Sequence, residues 1–431
     1  MYIHRKIGVL TRPAFAVTLF NKASIQKGKI KMSTPVSERS VRLLDSMLPI
    51  FRFLSESTWS RRRGEAGIGD FTIGNPHDMP SPELVSAYSR WIEPRDKHWY
   101  AYKMNETASR EVLAGSLRQW RNMPFEMEDI FVTNGAIAAL AVVLGTIVDP
   151  GDEVIFISPP WFQYEGMILN VGGVPVRIKA RDGTFDLDLP AIEEAIGPKT
   201  RAVIINSPQN PTGRIYQPEI LNKLAGMLAA KSRKSGRTVY LISDEAYSRI
   251  VFDGKTYPSP VSFYPESFMV YTYGKVLLAP GERIGFIALP PEMSEKATIR
   301  KALSVSQMIN GWSFPNALLQ HAIGDLDRIS IDITHLQRKR DRLYAALTAI
   351  GYEVLLPEGT FYMLVRSPCQ DDEAFIELLA RHDIFCIPGS AMEIPGYFRI
   401  CFTPGDETIE RALPGFDLAF RQAAMMEKAQ S

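Results

Sequence analysis

Cysteine is scarce in this chain: three thiols in 431 residues, Cys369, Cys386 and Cys401. So few, so unevenly spaced, they make neither a disulfide framework nor a zinc knuckle, and they read as buried thiols of a reducing, cytoplasmic compartment. Histidine is nearly as sparse, six in all and without an H-E-x-x-H pattern, so no catalytic metal is expected. No apolar run approaches the roughly 20 residues that a membrane-spanning helix needs. Net charge is lacking too. Basic and acidic side chains number 49 and 48, and the resulting +1 gives no electrostatic case for nucleic acid or a membrane surface as partner. No G-x-G-x-x-G opens a helix after a strand, which argues against a nicotinamide enzyme. There is no internal repeat and no low-complexity tract. What remains is an ordinary globular composition, 45% hydrophobic and 23% charged, over a length too great for one small core. Two domains are expected.

One region lacks acid altogether. Residues 1–37 hold no Asp or Glu but several Lys and Arg, beginning His4-Arg5-Lys6. They read as a basic, disordered N-terminal extension. A transit-like leader would look this way, but a working protein opening at Met32 is the simpler account.

Residues 38–69 read as an N-terminal helix and arm. The apolar spacing Val41, Leu43, Leu44, Met47, Leu48 predicts a helix that stops before Pro49. Thr58–Gly69, with Arg61-Arg62-Arg63, predicts a solvated surface loop. Asp70–Pro76 is a short extended segment closed by turn formers, and a helix follows over Pro82–Trp91. An aromatic cluster, Trp99-Tyr100-Ala101-Tyr102, precedes another helix carrying Arg110. Strands are then predicted at Ile130–Thr133, Glu153–Ile157, Ala202–Asn206, Thr238–Ile242 and Phe268–Tyr273, with helices at Ala136–Val148 and Glu219–Ser232, and a further apolar run follows at Phe286–Leu289. Apolar strands separated by helices predict an α/β fold, a mostly parallel sheet with helices on both faces. Beyond it, one long helix over Leu326–Ile350 is expected, closed by Gly351. Short strands (Tyr352–Leu355, Thr360–Val365, Tyr397–Phe402) then alternate with helices near Asp372–Arg381 and Glu407–Gln422, a smaller α+β C-terminal domain. The expected large domain is 70–323 and the small one 324–431.

Five features fall at the carboxyl ends of the predicted strands, where open α/β sheets gather ligands. Thr133-Asn134-Gly135-Ala136-Ile137 enters a helix through small residues, so its backbone N–H groups suit an anion. Ser158-Pro159-Pro160-Trp161 offers an indole to a heteroaromatic ring. Asn210, between Pro208 and Pro211, can donate to a ring oxygen or a carboxylate. Asp244 suits a protonated pyridine nitrogen, and Tyr247, three residues on, a ring's phenolic oxygen. Finally, Lys275 ends a β-rich run, with Thr272 three residues before it and Arg283 eight after. Hydroxyl and guanidinium are natural phosphate donors, and a lysine beside them points to a Schiff base with pyridoxal phosphate. Taken singly, each feature has a plainer reading: a strand-turn-helix joint, a core aromatic, a bare turn, a helix-capping Asp, a solvated Lys.

In this joint order the chain resembles the fold-type I aminotransferases, in the class I/II group that includes aspartate aminotransferase. The resemblance runs from about Asp70 to Phe416 and is most specific over Lys275–Gly285. It implies pyridoxal 5'-phosphate as cofactor, carried by Lys275, which is also the base for the proton shift. It implies that Asp244 pairs with the pyridine nitrogen, Tyr247 and Asn210 with the ring oxygen, and that Trp161 stacks on the ring. Gly135, Ala136, Ile137, Thr272 and Arg283 would cradle the phosphate. Arg399, in Tyr-Phe-Arg-Ile-Cys-Phe, would clamp the substrate α-carboxylate with Asn210 nearby, and Gly74 would lie beside the substrate. Members are usually homodimers with shared sites, so a tyrosine of the Trp99–Tyr102 cluster would reach the neighbouring subunit. Two departures stand out. Gly274 occupies a position that is often Ser. Matching Arg110 to the family's helix arginine puts Tyr100 at the tyrosine position and Asn105 where glycine is usual, which leaves Tyr100 and Tyr102 both open, for cofactor or substrate.

The implied reaction is ping-pong transfer of an amino group between an L-amino acid and a 2-oxo acid. The alternative is a lyase or cyclase acting on a modified amino acid with the same cofactor. A cofactor-binding regulator would need a DNA-binding segment, which residues 1–40 are too short and unpatterned to supply.

Overall fold

Short apolar runs, buried on both sides, set the central sheet of the protein, whose residues 35–430 are described by a computed structural model. The expected basic extension and Met32 therefore lie, but for residues 35–37, outside the described residues. A two-residue strand, β1 (Gly69–Asp70), comes first in the chain. The sheet follows: β2 (Ile130–Thr133), β3 (Glu153–Ser158), β4 (Val174–Lys179), β5 (Thr200–Asn206), β6 (Tyr240–Asp244), β7 (Ser267–Thr272) and β8 (Gly285–Ala288). Its order is β2-β8-β7-β6-β5-β3-β4. β8 runs antiparallel to both neighbours and the other paired strands are parallel.

The period-2 alternation of a strand sends successive side chains to opposite faces. Val154, Phe156, Ile204 and Ile242 pack with Leu140 and Val143 of the helix Ala136–Ile147. Ile155, Val203, Ile205 and Leu241 pack on the other side with Leu221, Leu224 and Leu228 of the helix Pro218–Ser235. Helices on both faces of a mostly parallel sheet are thus present, as the alternation of strands and helices predicts.

The C-terminal part adds β9 (Val354–Leu355), β10 (Tyr362–Arg366), β11 (Ile384–Phe385), β12 (Ile387–Pro388) and β13 (Tyr397–Cys401). Four of these form an antiparallel sheet in the order β12-β13-β10-β9. Its cover comes from the helices Ile333–Ile350, Asp372–Ala380 and Asp406–Gln430, through Leu343, Leu347, Phe375 and Phe416. β1 pairs in parallel with β11, Gly69 opposite Ile384, so the segment leading to Gly74 is fastened to the C-terminal part.

Several local expectations fail for identifiable reasons. The helix Glu38–Glu56 runs through Pro49 rather than ending before it. Ile50 and Phe53, just beyond the proline, are buried in the core, and that burial offsets a proline cost of about 3 kcal/mol. Thr58–Gly69 is not a bare loop. Thr58–Arg62 is helical, and Trp59 is buried with its Nε1 donating to Asp70 Oδ2 at 2.9 Å. β4 was not foreseen, because Pro175, Arg177 and Lys179 interrupt its apolar pattern, as suits a sheet edge. Leu326, expected to open a long helix to Ile350, instead closes one, Ala317–Leu326, and a second, Ile333–Ile350, begins after a break. Asp332 restarts the second by accepting from the His335 N–H at 2.9 Å. The residue pair 323/324, expected to divide the domains, falls inside the first, which packs on the helices Pro82–Ile92 and Thr107–Arg121.

Gly285 lies between Thr133 and Thr272 in the sheet. A Cβ there would sit 2.9 Å from Gly135 Cα and 3.2 Å from Gly135 C, and would press on the Tyr271 carbonyl. All three obstacles are backbone and cannot swing aside. Gly285→Ala should therefore lose about 1–3 kcal/mol of stability, read by chemical denaturation. Unchanged stability would contradict this packing.

Candidate active site

The register of the parallel strands decides which side chains meet. Asn206 pairs with Asp244, so β5 and β6 end level, and Asp244 pairs with Val270, so β7 runs on past them to Thr272. Asp244 is buried there. Its Oδ2 accepts from the Tyr164 hydroxyl at 2.5 Å and its Oδ1 from the Ala246 N–H at 3.2 Å. Burial pushes the Asp244 carboxyl above its ordinary range, opposed by those two donors and by the charge of Lys275.

Lys275 stands one step further from strand geometry than expected. β7 ends at Thr272, and Tyr273–Val276 is a single helical turn whose cap is Thr272 Oγ1, accepting from the Gly274 N–H at 3.3 Å. The amine points among aromatic faces, 5.6 Å from the Tyr247 ring centroid and 6.0 Å from that of Phe361. Burial, and then the positive charge of Arg399, lower its pKa to about 8. A Cβ on Gly274 would lie 3.1 Å from Pro280 Cα, so the close return of the loop favours glycine at this position. The Tyr247 ring packs on Phe361 and Tyr362, and the two tyrosine hydroxyls hydrogen-bond each other.

Gly135 caps the helix Ala136–Ile147 with φ +83°, which glycine adopts without penalty. A Cβ at Gly135 would stand 2.9 Å from Arg283 Nη2 and 3.4 Å from Thr272 Oγ1. Backbone, hydroxyl and guanidinium thus converge on one helix N-terminus. The Arg283 Nη1 hydrogen bond goes to the Pro280 carbonyl, at 2.7 Å, and no acid is paired with it among the described residues.

Arg399, in β13, is buried. Nη1 donates to Asn210 Oδ1 at 2.9 Å and Nη2 to the Thr72 carbonyl at 2.8 Å, while Nε, also buried, has no hydrogen-bond partner. Its guanidinium carbon lies 3.9 Å from the Tyr362 ring centroid. At Gly74 a Cβ would run into the Phe361 ring and come within 2.6 Å of the Tyr362 hydroxyl.

Ala136, Ile137, Trp161, Asn210, Asp244, Tyr247, Thr272, Lys275 and Arg283 line one cavity. Gly135 joins it through its contact with Arg283, and Arg399 through its bond to Asn210. Tyr100 and Tyr102 are not brought there in this chain; they are 54% and 86% exposed. The Tyr100 hydroxyl donates to the Ile92 carbonyl, and the Tyr102 ring rests on Phe314, centroids 4.7 Å apart. Sequence reasoning missed Tyr164 and Asn206. Tyr164 stands three residues after Trp161 but 80 from its partner Asp244, and no local pattern joins them.

A family model described as "Aminotransferase class I and II" matches residues 67–416. The chain belongs to that family. This aminotransferase is similar to the aspartate/prephenate aminotransferase of Thermus thermophilus, 31% identical over 363 residues that span 82% of this chain and 91% of the relative. It is 32% identical over 361 residues to the aspartate aminotransferase of Thermotoga maritima, again 82% and 91%. Among solved structures, an amino transferase from Eubacterium rectale superposes with TM-score 0.83 at 30% identity, covering 90% of this chain and all of that one. The Thermus thermophilus aspartate aminotransferase with maleate gives 0.77 at 27% identity, with 90% and 100% covered. The family implies pyridoxal phosphate as cofactor and amino and keto acids as substrates. Among the described residues no helix is long and apolar enough to cross a membrane.

Burial of Lys275 makes a prediction for the cofactor-free aminotransferase. Its folded pKa lies below its ordinary value, so between about 8 and 10.5 the unfolded chain holds the extra proton. Stability from this residue therefore rises with pH across that window. Lys275→Met should be more stable than wild type at pH 7, the advantage shrinking toward pH 10.5 in denaturant titrations. A constant difference would refute the burial cost.

Proposed function

We propose that this aminotransferase transfers an amino group between an L-amino acid and a 2-oxo acid by a ping-pong cycle on pyridoxal phosphate bound at Lys275. The observation that carries this is the company of the buried amine. A carboxyl whose charge burial disfavours lies on one side, and a guanidinium without an acid, at a helix N-terminus, on the other. The residues fit the cofactor. A Cβ on Gly135 would fill the cradle that a phosphate needs, and Arg283 and Thr272 supply donors to it with the Ala136 and Ile137 end of the helix. Asp244 would hold the pyridine nitrogen, Tyr247 and Asn210 the ring oxygen, and Trp161 would cover a ring face. When bound, the cofactor supplies an electron-withdrawing ring and carries the amino group between half-reactions.

The chain's own groups do the rest. Lys275 Nζ takes and returns the proton at the substrate Cα. A pKa near 8 leaves part of it neutral at physiological pH, and Arg399 helps to keep it so. Arg399 receives the α-carboxylate, with its unpaired Nε among the donors. Gly74 keeps the adjoining space open, because a side chain there would strike Phe361. We assign a homodimer as the working form. Tyr102, Val305, Met308, Ile309 and Phe314 expose large apolar side chains that a second copy would cover. Tyr102 is then the better candidate to cross to the partner, since the Tyr100 hydroxyl is already held by Ile92. We place the change from large to small domain at the helix break over 327–332. Three free thiols accord with a cytoplasmic setting.

The names of the relatives put aspartate and prephenate first among substrates to try. In an amino-donor screen that follows oxo-acid formation, wild type should transfer amino groups and Lys275→Ala should lose at least a thousandfold in rate. Borohydride followed by digestion should leave a pyridoxyl group on the Lys275 peptide. Full turnover by Lys275→Ala would sink the proposal, while ammonia or a cyclic product would favour the lyase or cyclase reading.

A further inference from the structure

We propose that Asn206 is a positioning residue that ties the acid at Asp244 to the carboxylate clamp at Arg399. The inference rests on the roles proposed above for those two residues. Asn206 is the last residue of β5, 6% exposed, directly opposite Asp244 in the parallel register. Its amide spends both ends within the site. Nδ2 donates to the Asp244 carbonyl at 2.9 Å, and Oδ1 accepts from the Asn210 N–H at 2.8 Å. Asn210 in turn accepts from Arg399 Nη1 at 2.9 Å through its own side chain. A continuous path of three hydrogen bonds therefore leads from the backbone of the acid to the guanidinium, through two buried amides.

The chemistry of the amide explains why this residue type stands here. The Asn210 N–H is buried in a turn flanked by Pro208 and Pro211, neither of which has an N–H to offer. It needs an acceptor, and leaving it without one is costly. The Asp244 carbonyl also takes the Ser207 N–H, at 3.2 Å, so the strand end is held by backbone as well as by side chain. Among the described residues, only the Asn206 side chain bonds to both Asp244 and Asn210. An aspartate would keep the acceptor for Asn210 but turn a negative oxygen on the Asp244 carbonyl. An alanine would release both. Tyr164, by contrast, bonds the Asp244 carboxylate rather than its backbone carbonyl.

These differences give each variant its own kinetic signature. Asn206→Ala should lower kcat and raise the KM for the amino donor together, for a loss of about 10–100-fold in kcat/KM, since misplacement by about an ångström costs that much. Asn206→Asp should recover most of the KM, because Asn210 keeps its acceptor, while kcat stays low. Tyr164→Phe should lower kcat and leave KM within about twofold. Asn206→Ala in an Arg399→Lys background should cost far less than in wild type, since one path carries both effects.

The experiment measures steady-state constants on cofactor-loaded protein with the best donor from the screen, alongside the dissociation constant of pyridoxal phosphate and the unfolding temperature. A fold-only role would lower the unfolding temperature of both Asn206 variants without separating KM from kcat. Constants within twofold of wild type in Asn206→Ala, or the same KM in the Ala and Asp variants, would overturn the inference. If the alanine variant does not fold, Asn206→Asp against Tyr164→Phe decides the matter through the same separation. Should wild type itself bind no pyridoxal phosphate or transfer no amino group, the proposed function fails, a result distinguishable from failure of this coupling alone.

Discussion

Taking an amine and a carboxyl out of water at the end of one sheet is the constraint around which this site is arranged. Burial acts on the two groups in opposite directions. It lowers the pKa of Lys275 and raises that of Asp244, so each is drawn toward its neutral form. Two groups held this way do not form a satisfied ion pair; they form a place prepared for a third. The proposed cofactor answers both, with a ring nitrogen for the acid and a carbon for the amine. The cost of keeping such groups dry is met by the packed sheet beneath them, where Ile242 and Val270 are fully buried.

The sheet also sets how closely the parts approach. β8 threads between β2 and β7, so Gly285 touches Gly135 on one side while Thr272 pairs with it on the other. Arg283, two residues earlier, is thereby brought over the helix N-terminus. A larger residue at Gly285 or Gly135 would part these elements. Glycine at those positions therefore serves contact between backbones, and at Gly135 it also serves a positive φ.

Much of this was legible in the sequence, because strand ends are where chemistry collects. Asp244, Asn210, Thr272 and Lys275 each follow an apolar run, and the structure gathers them in one cavity. What escaped was set by distant partners. Tyr164 reads as one more aromatic until Asp244, 80 residues on, accepts its hydroxyl. Asn206 reads as the last residue of a strand until its two bonds are traced. Pro49 reads as a helix stop, since local preference cannot register that Ile50 and Phe53 have a core to enter. Trp59 reads as part of a polar loop for the same reason, with its core partners and Asp70 lying elsewhere in the chain.

Asn105 shows how a departure from the family pattern can have a structural cause. β2 is an edge strand, and the backbone of Val132 faces outward from it. Asn105 Oδ1 accepts the Val132 N–H at 2.6 Å, and Gln307 Nε2 donates to the Val132 carbonyl at 2.7 Å. The two amides also bond each other, Asn105 Nδ2 to Gln307 Oε1 at 3.2 Å. Together they close a stretch of edge that would otherwise present unpaired groups. A glycine at 105 has no side chain with which to do so. The same closure fastens the segment that carries Tyr100 and Tyr102 to the sheet, three residues from Gly135. The substitution that left the tyrosine assignment open is therefore a fastening of the loop from which that tyrosine is displayed.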